Sequence, residues 1–258
     1  MKIEASAFSM SKIGNSDEDY ADAYYIPRPH NNNHFSGSGE KFLFAIADGA
    51  TEAAFPGIWA KLLVNSYVNG YLRWDNFEDN IPNLQLIWEK VVNKMDLPWY
   101  GKEKVKQGSA STFLGIKFTE NKIDCKDYGI YEIISIGDSC TFQVRNDSLI
   151  KYYPVKASNL FNSNPNLVYT LPSLNMGLGD LIEMRTRIWH RGDTFYLMTD
   201  SLSHWFLKEV EEGNTPWITL NSIDRESSRL DFSEFVSNLI GINHMRNDDA
   251  TLIRIEIK

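Results

Sequence analysis

Two cysteines in 258 residues are too few for a disulfide scaffold, and Cys125 and Cys140 stand in strand-like runs without the close spacing of a metal site. Reduced, structural thiols are expected. No run approaches the roughly 20 apolar residues that span a bilayer, and Met1 to Met10 lacks the long apolar core of a signal peptide. The expectation is a cytoplasmic protein with no membrane partner. Positive charge is also scarce: 26 Lys and Arg stand against 34 Asp and Glu, for a net charge of −8. That balance argues against nucleic acid as a partner, because binding a phosphate backbone rests on clustered Lys and Arg. Any anionic substrate must meet a local positive charge. Of five histidines, none has an acidic or cysteine partner at ligand spacing, which disfavours zinc. Apolar residues, by contrast, are plentiful. At 43% hydrophobic and 13% aromatic, residues 1–258 can bury a sizeable core within one domain.

Along the chain the periodicity is mixed. Strand-like stretches at Lys2–Ser9 and Asp22–Ile26 lead through a polar loop, from Pro27 to Glu40, into the apolar run at Phe42–Ala47. Then the spacing of Phe55, Trp59, Leu62, Leu63, Ser66 and Tyr67 predicts an amphipathic helix, and Leu84, Ile87, Trp88, Val91 and Met95 predict a second. From Ala110 to Tyr153, short β-branched and aromatic runs punctuated by Gly, Asn and Asp predict an antiparallel meander: Thr112–Phe118, Ile123–Lys126, Tyr131–Ile136, Thr141–Val144 and Ser148–Tyr152. The stretch from Pro154 to Asp180, rich in Asn, Ser and Pro, reads as a long surface segment. A strand at Thr194–Thr199, helices at Leu202–Glu211 and near Leu230–Ile240, and a last strand at Ala250–Ile257 complete the pattern. Strands in blocks and helices in blocks predict a layered α+β fold rather than a doubly wound sheet.

One arrangement recurs: an apolar run that ends on aspartate. Phe42 to Ala47 ends on Asp48-Gly49, Tyr131 to Gly137 on Asp138, and Thr194 to Thr199 on Asp200, while Asp248-Asp249 opens the run at Ala250 to Ile255. Strands sharing a sheet bring such ends together. Two carboxylates about 4 Å apart repel by about 4 kcal/mol at an effective dielectric near 20, so clustered acids need cations among them or take up protons. The pattern points to a metal centre fed by several strands.

In order, Asp17-Glu18-Asp19, Asp48-Gly49, Gly108-Ser109-Ala110-Ser111-Thr112, Gly137-Asp138-Ser139, Thr199-Asp200-Ser201 and Asp248-Asp249-Ala250-Thr251 resemble the successive motifs of metal-dependent protein phosphatases of the 2C (PPM) family, bacterial type. The likeness runs from about Phe8 to the C-terminus. It implies a four-layer α-β-β-α sandwich of two antiparallel sheets flanked by helix pairs. It further implies that Asp48 bridges two metal ions, that the Gly49 carbonyl binds one of them, and that Asp200 and Asp248 complete the second site. Glu18 and Asp19 would act mainly through metal-bound water, and Asp138 resembles the residue that helps hold a weaker third ion. Hard oxygen donors of this kind suit Mn²⁺ or Mg²⁺. The implied reaction is hydrolysis of phosphoserine or phosphothreonine in a protein that is the target of a Ser/Thr kinase, with a metal-bridging hydroxide attacking phosphorus in line.

Departures from the family pattern are equally specific. Asp17 stands where Asn is common, and Gly14 falls where a phosphate-binding Arg would be, leaving Lys12 as the nearest substitute. Ala50 and Thr51 occupy the region where some members carry a histidine general acid. Ser201 replaces a Gly beside Asp200, and Asp249 stands where Asn is usual. These changes leave open a second reading, a phosphatase-like regulatory module that binds a phosphoprotein or kinase with little turnover. Simpler structural roles also remain open: Asp17 to Asp22 as a solvated acidic turn, and Asp138 as a turn cap. A calcium loop fails, because its sixth position is Asp22 instead of Gly and its twelfth is Arg28 instead of Glu.

Overall fold

The computed structural model describes residues 1–15, 20–27, 33–121, 128–161, 164–223 and 228–258. Six strands form one sheet: β1 (Lys2–Met10), β3 (His34–Ser38), β8 (Cys140–Arg145), β9 (Ser148–Tyr153), β12 (Thr194–Met198) and β13 (Ala250–Ile257), in the order β3-β1-β13-β12-β8-β9. Five form the other: β2 (Ala23–Tyr25), β4 (Lys41–Ala47), β6 (Phe113–Glu120), β7 (Tyr128–Ile136) and β11 (Glu183–His190), ordered β11-β7-β6-β4-β2. A separate two-strand ladder joins β5 (Ala110–Ser111) to β10 (Val168–Tyr169). Every pairing is antiparallel.

The sheets pack face to face. Residues two apart on a strand share a face, so Ile3, Ala5 and Ala7 of β1, Phe44 and Ile46 of β4, Leu114, Ile116 and Phe118 of β6, and Ile253 and Ile255 of β13 meet in a common interior layer. Intervening residues point outward under helices. Ala45, Ala47, Phe113, Ile134 and Ile136 pack beneath α1 (Pro56–Val68) and α2 (Phe77–Val92). On the other side Phe142, Tyr196, Met198 and Leu252 pack beneath α5 (Asp200–Glu211), α6 (Pro216–Ser222) and α7 (Ser228–Gly241). Burial on both faces explains why β4 reads as an unbroken apolar run. The expected four-layer α+β sandwich of two antiparallel sheets is the observed architecture.

Several elements differ from expectation, each for a local reason. The helical cover of the six-stranded sheet is three helices rather than a pair, because α6 presents only Pro216, Trp217 and Leu220 as buried residues and is too short to show a periodicity. The meander breaks at Gly137, whose φ of +98° suits glycine, and the chain crosses from β7 in one sheet to β8 in the other. The polar loop before Glu40 contains β3, an edge strand with Phe35 as its one buried side chain. The segment after Pro154 is not simply a surface loop: Val168 is fully buried and its carbonyl accepts a 2.7 Å hydrogen bond from Trp59 Nε1. Beyond it, β11 carries Arg185, Thr186, Arg187 and Ile188 exposed or half-buried on a sheet edge, a composition with little strand signal. Two shorter helices, α3 (Trp99–Lys106) and α4 (Leu178–Leu181), were also invisible to periodicity. Trp59, Trp88 and Trp205 are core residues, and Cys140 is buried and free. The expected strand at Ile123–Lys126, with Cys125, lies outside the described residues.

Candidate metal centre

Strand direction delivers the acids to one edge. β2 runs antiparallel to β4 with Ala23 opposite Ala47, so Asp22, just before β2, and Asp48, just after β4, stand at the same edge. β12 and β13 are paired with Met198 opposite Leu252; Asp200 follows the first strand and Asp248-Asp249 precede the second. Asp138 sits in the crossing between sheets. Hydrogen bonds fix these ends together. Thr112 Oγ1 lies 3.0 Å from the donating Asp48 N–H and 2.8 Å from Ser139 Oγ, while Thr112 N–H and Ser111 Oγ both donate to the Asp48 carbonyl at 2.8 Å. On the other side Thr251 Oγ1 donates to Asp22 Oδ2 at 2.7 Å and contacts the Tyr20 hydroxyl, and Thr251 N–H donates to Thr199 Oγ1 at 3.0 Å.

The electrostatics follow from that crowding. Burial first, then the charges of Asp22, Asp200, Asp138 and Asp248, push the Asp48 carboxyl well above the usual carboxylate range. Burial raises Asp22 as well, with Asp249 and Asp200 adding to the shift. Asp138 is pushed up to about 7, by burial and then Asp200, and Asp200 to about 6, by burial and then Asp248. One cation opposes the rise in both of the latter groups: Arg246. Two oxygens, Asp22 Oδ1 and Asp138 Oδ1, are buried without a hydrogen-bond partner among the described residues.

Of the residues expected from sequence, Asp48, Asp138, Asp200 and Asp248 therefore converge within one another's field, and Gly49 is fixed beside them. Its missing Cβ matters: a methyl there would lie 2.6 Å from the Ala21 carbonyl oxygen and 2.8 Å from Pro56 Cβ. Glu18 and Asp19 lie outside the described residues. Lys12 stands beside Asp249, its backbone N–H donating to Asp249 Oδ1 at 2.8 Å and its charge acting on Asp249. Asp249 spends its other oxygen on the Ala21 N–H at 2.7 Å, so it fastens two loops to β13. Ser201 is buried and turns its hydroxyl towards the Asp249 carbonyl, 3.5 Å away, rather than into the cluster.

Two residues escaped sequence reasoning. Asp22 opens a strand that lies antiparallel to one ending on aspartate, the same reversal that marks Asp248-Asp249, and that was the available signal. Arg246 lies in an exposed loop and carries no pattern at all.

The donor set fits hard divalent cations: carboxylates and backbone carbonyls only, buried, mutually repelling, and with two orphaned oxygens. Among the described residues no three His, Cys, Asp or Glu side chains close into a metal cage.

Comparison with known proteins gives the fold its place. No protein-family model matches the chain. No curated protein matches it either. Solved structures do. The photosystem II phosphatase PBCP is similar over 99% of this chain and 99% of its own at 12% identity, with a TM-score of 0.56. The catalytic domain of the serine/threonine protein phosphatase PstP, in complex with two manganese ions, covers 100% of both chains at 12% identity and a TM-score of 0.52. RsbX in complex with magnesium covers 100% of this chain and 96% of its own at 17% identity and 0.51. The chain thus has the fold of the metal-dependent protein phosphatases of the 2C (PPM) kind, as the order of its motifs implied.

Proposed function

We propose that residues 1–258 act as a single Mn²⁺- or Mg²⁺-dependent phosphatase domain that hydrolyses phosphoserine and phosphothreonine in a protein substrate, the product of a Ser/Thr kinase. The observation that carries this reading is the convergence of Asp22, Asp48, Asp138 and Asp200 at one edge of the stacked sheets, where burial, mutual repulsion and the nearby charge of Asp248 leave these four needing countercharge. Asp48, Asp200 and Asp248, with the Gly49 carbonyl, are the groups that would hold two ions; Asp138 would hold a third, and Glu18 and Asp19 would act through water. Bound ions would supply the charge that an acidic protein lacks for a phosphate dianion, and would acidify a water nucleophile. Arg246, whose field reaches Asp138 and Asp200, joins Lys12 as a phosphate-binding cation. Thr112 and Ser139 keep Asp48 and Asp138 in register through their hydroxyl pair.

Hydrolysis of p-nitrophenyl phosphate in Mn²⁺, lost on Mn²⁺ removal and in Asp48→Asn, is the expected result. A well-folded wild-type protein with no turnover in Mn²⁺ or Mg²⁺ would refute the enzyme. It would favour instead a regulatory module that recognises a phosphoprotein or kinase, the reading motivated by Gly14, Ala50, Thr51 and Ser201 at the positions that depart from the family pattern.

A further inference from the structure

Beside the acid cluster runs a groove of about 790 Å³, within the range of sites that hold ligands. One wall is the chain at Tyr20 and Ala21, the floor is the turn into α1 at Phe55 to Gly57, and the far wall is α3 with the residues before it. The groove and the cluster share structure. Ala21 and Pro56 close over Gly49 so tightly that a Cβ there would lie 2.6 and 2.8 Å from them, and a Cβ on Gly57 would lie 3.0 Å from the Tyr20 carbonyl. A segment lying in the groove therefore passes next to Asp48-Gly49.

Three features of the groove set it apart from the rest of an acidic molecule. Lys61 and Lys104 line it, both exposed, and no described residue of its lining is Asp or Glu. Neither lysine makes an ion pair among the described residues, whereas their neighbour Lys106 is tied to Glu103 at 2.6 Å. The helix that carries Lys104 buries none of its residues, and at its start Trp99 and Tyr100 are 78% and 65% exposed. Eight residues are too few for a stable isolated helix, and α3 is held to the body through Val105. Large amphipathic rings displayed beside exposed cations are typical anchors of a binding surface. Phe55, at the groove floor, holds a left-handed φ of 50°, a conformation rare for a bulky residue.

We infer that this groove seats the acidic flank of a phosphoprotein segment, with Lys61 and Lys104 meeting Asp or Glu side chains near the phosphorylated residue and Tyr100 packing on the backbone between them. The occupant is a peptide rich in acids, because the two lysines repel a basic one and are too few to track a nucleic-acid backbone. This inference rests on the phosphatase reading above for the position of the phosphorylated residue, but not for binding of the flank.

Fluorescence anisotropy of a fluorescein-labelled, unphosphorylated peptide rich in Glu and Asp tests binding directly. The wild-type protein should bind it more tightly than a Lys-rich peptide of equal length, and Lys61→Glu/Lys104→Glu should weaken it by about fivefold or more, an effect that shrinks with added salt. A second arm compares phosphothreonine peptides with acidic and with neutral flanks. In the double variant kcat/KM should fall by about fivefold for the acidic peptide alone, while turnover of p-nitrophenyl phosphate, which has no flank, stays within about twofold. Equal binding of acidic and basic peptides, or an unchanged ratio between the flanked substrates in the double variant, would overturn the groove. Absence of metal-dependent p-nitrophenyl phosphate turnover in the wild type would instead overturn the phosphatase reading, and the anisotropy arm would still decide whether the groove selects acids.

Discussion

Asp138→Asn should make the metal-free protein more stable, and the size of the gain follows from the site. In the folded chain the Asp138 carboxyl is pushed from 3.8 up to about 7 by burial and by Asp200. The native state therefore holds that proton more tightly than the unfolded chain does. Stability from this group is greatest below the unfolded value near 4 and is lost progressively as pH rises to about 7, the reverse of a salt-bridged carboxylate. A shift of about three units corresponds to about 4 kcal/mol at most, and relaxation around the site reduces it, so about 1–3 kcal/mol is the working figure. For a chain of this size that is a rise in Tm of about 2–12 °C. Thermal unfolding in EDTA from pH 4.5 to 8 is the assay. The wild type should lose Tm across that range, the variant should lose less, and the two curves should meet at the acid end. Excess Mn²⁺ should raise the wild-type Tm at pH 7.5 by more than it raises that of the variant. A variant no more stable than wild type at pH 7.5 in EDTA, with the same slope, would refute the claim that a buried, uncompensated charge sits at Asp138.

Gly49→Ala places a methyl within 2.6 Å of a backbone oxygen and should cost about 1–3 kcal/mol, read as a fall in Tm, together with weaker Mn²⁺ binding in calorimetry as Asp48 shifts. Arg246→Ala should raise KM for p-nitrophenyl phosphate with little change in Tm, since the residue is exposed, and Arg246→Lys should restore part of the loss; unchanged kinetics would remove Arg246 from the site. Trp59→Phe deletes the 2.7 Å bond to the buried Val168 carbonyl and should destabilise by about 1–3 kcal/mol in urea titrations, without altering kcat for small substrates.

The apolar, β-branched and aromatic runs of β1, β6 and β13, and the helical spacing on α1, were legible because these strands are buried over most of their length and the helix buries one face. The final strand was expected at Ala250–Ile257 and is found there, bounded by Asp248-Asp249 at its start. β11 and α3 were not legible, for a shared reason: an edge strand and a helix lying on the surface keep most of their side chains in solvent, so no apolar rhythm records them. On α2 the apolar stripe was read one step off, since Ile87 and Val91 are exposed and Ile81 and Gln85 face inward.

For the site, the sequence by itself determined which acids end strands, because an apolar run stopping on aspartate is a local pattern visible without any partner strand. Asp48, Asp138, Asp200 and Asp248 were identified that way. Only the tertiary structure decided which of the chain's acids share one field. Antiparallel pairing sets the start of one strand beside the end of another, and this brought Asp22 opposite Asp48, turned Asp249 to fastening loops through two backbone N–H groups, and carried Arg246 to the rim. Proximity across 20 to 200 residues is a property of how strands pair and sheets stack, and no local spacing encodes it.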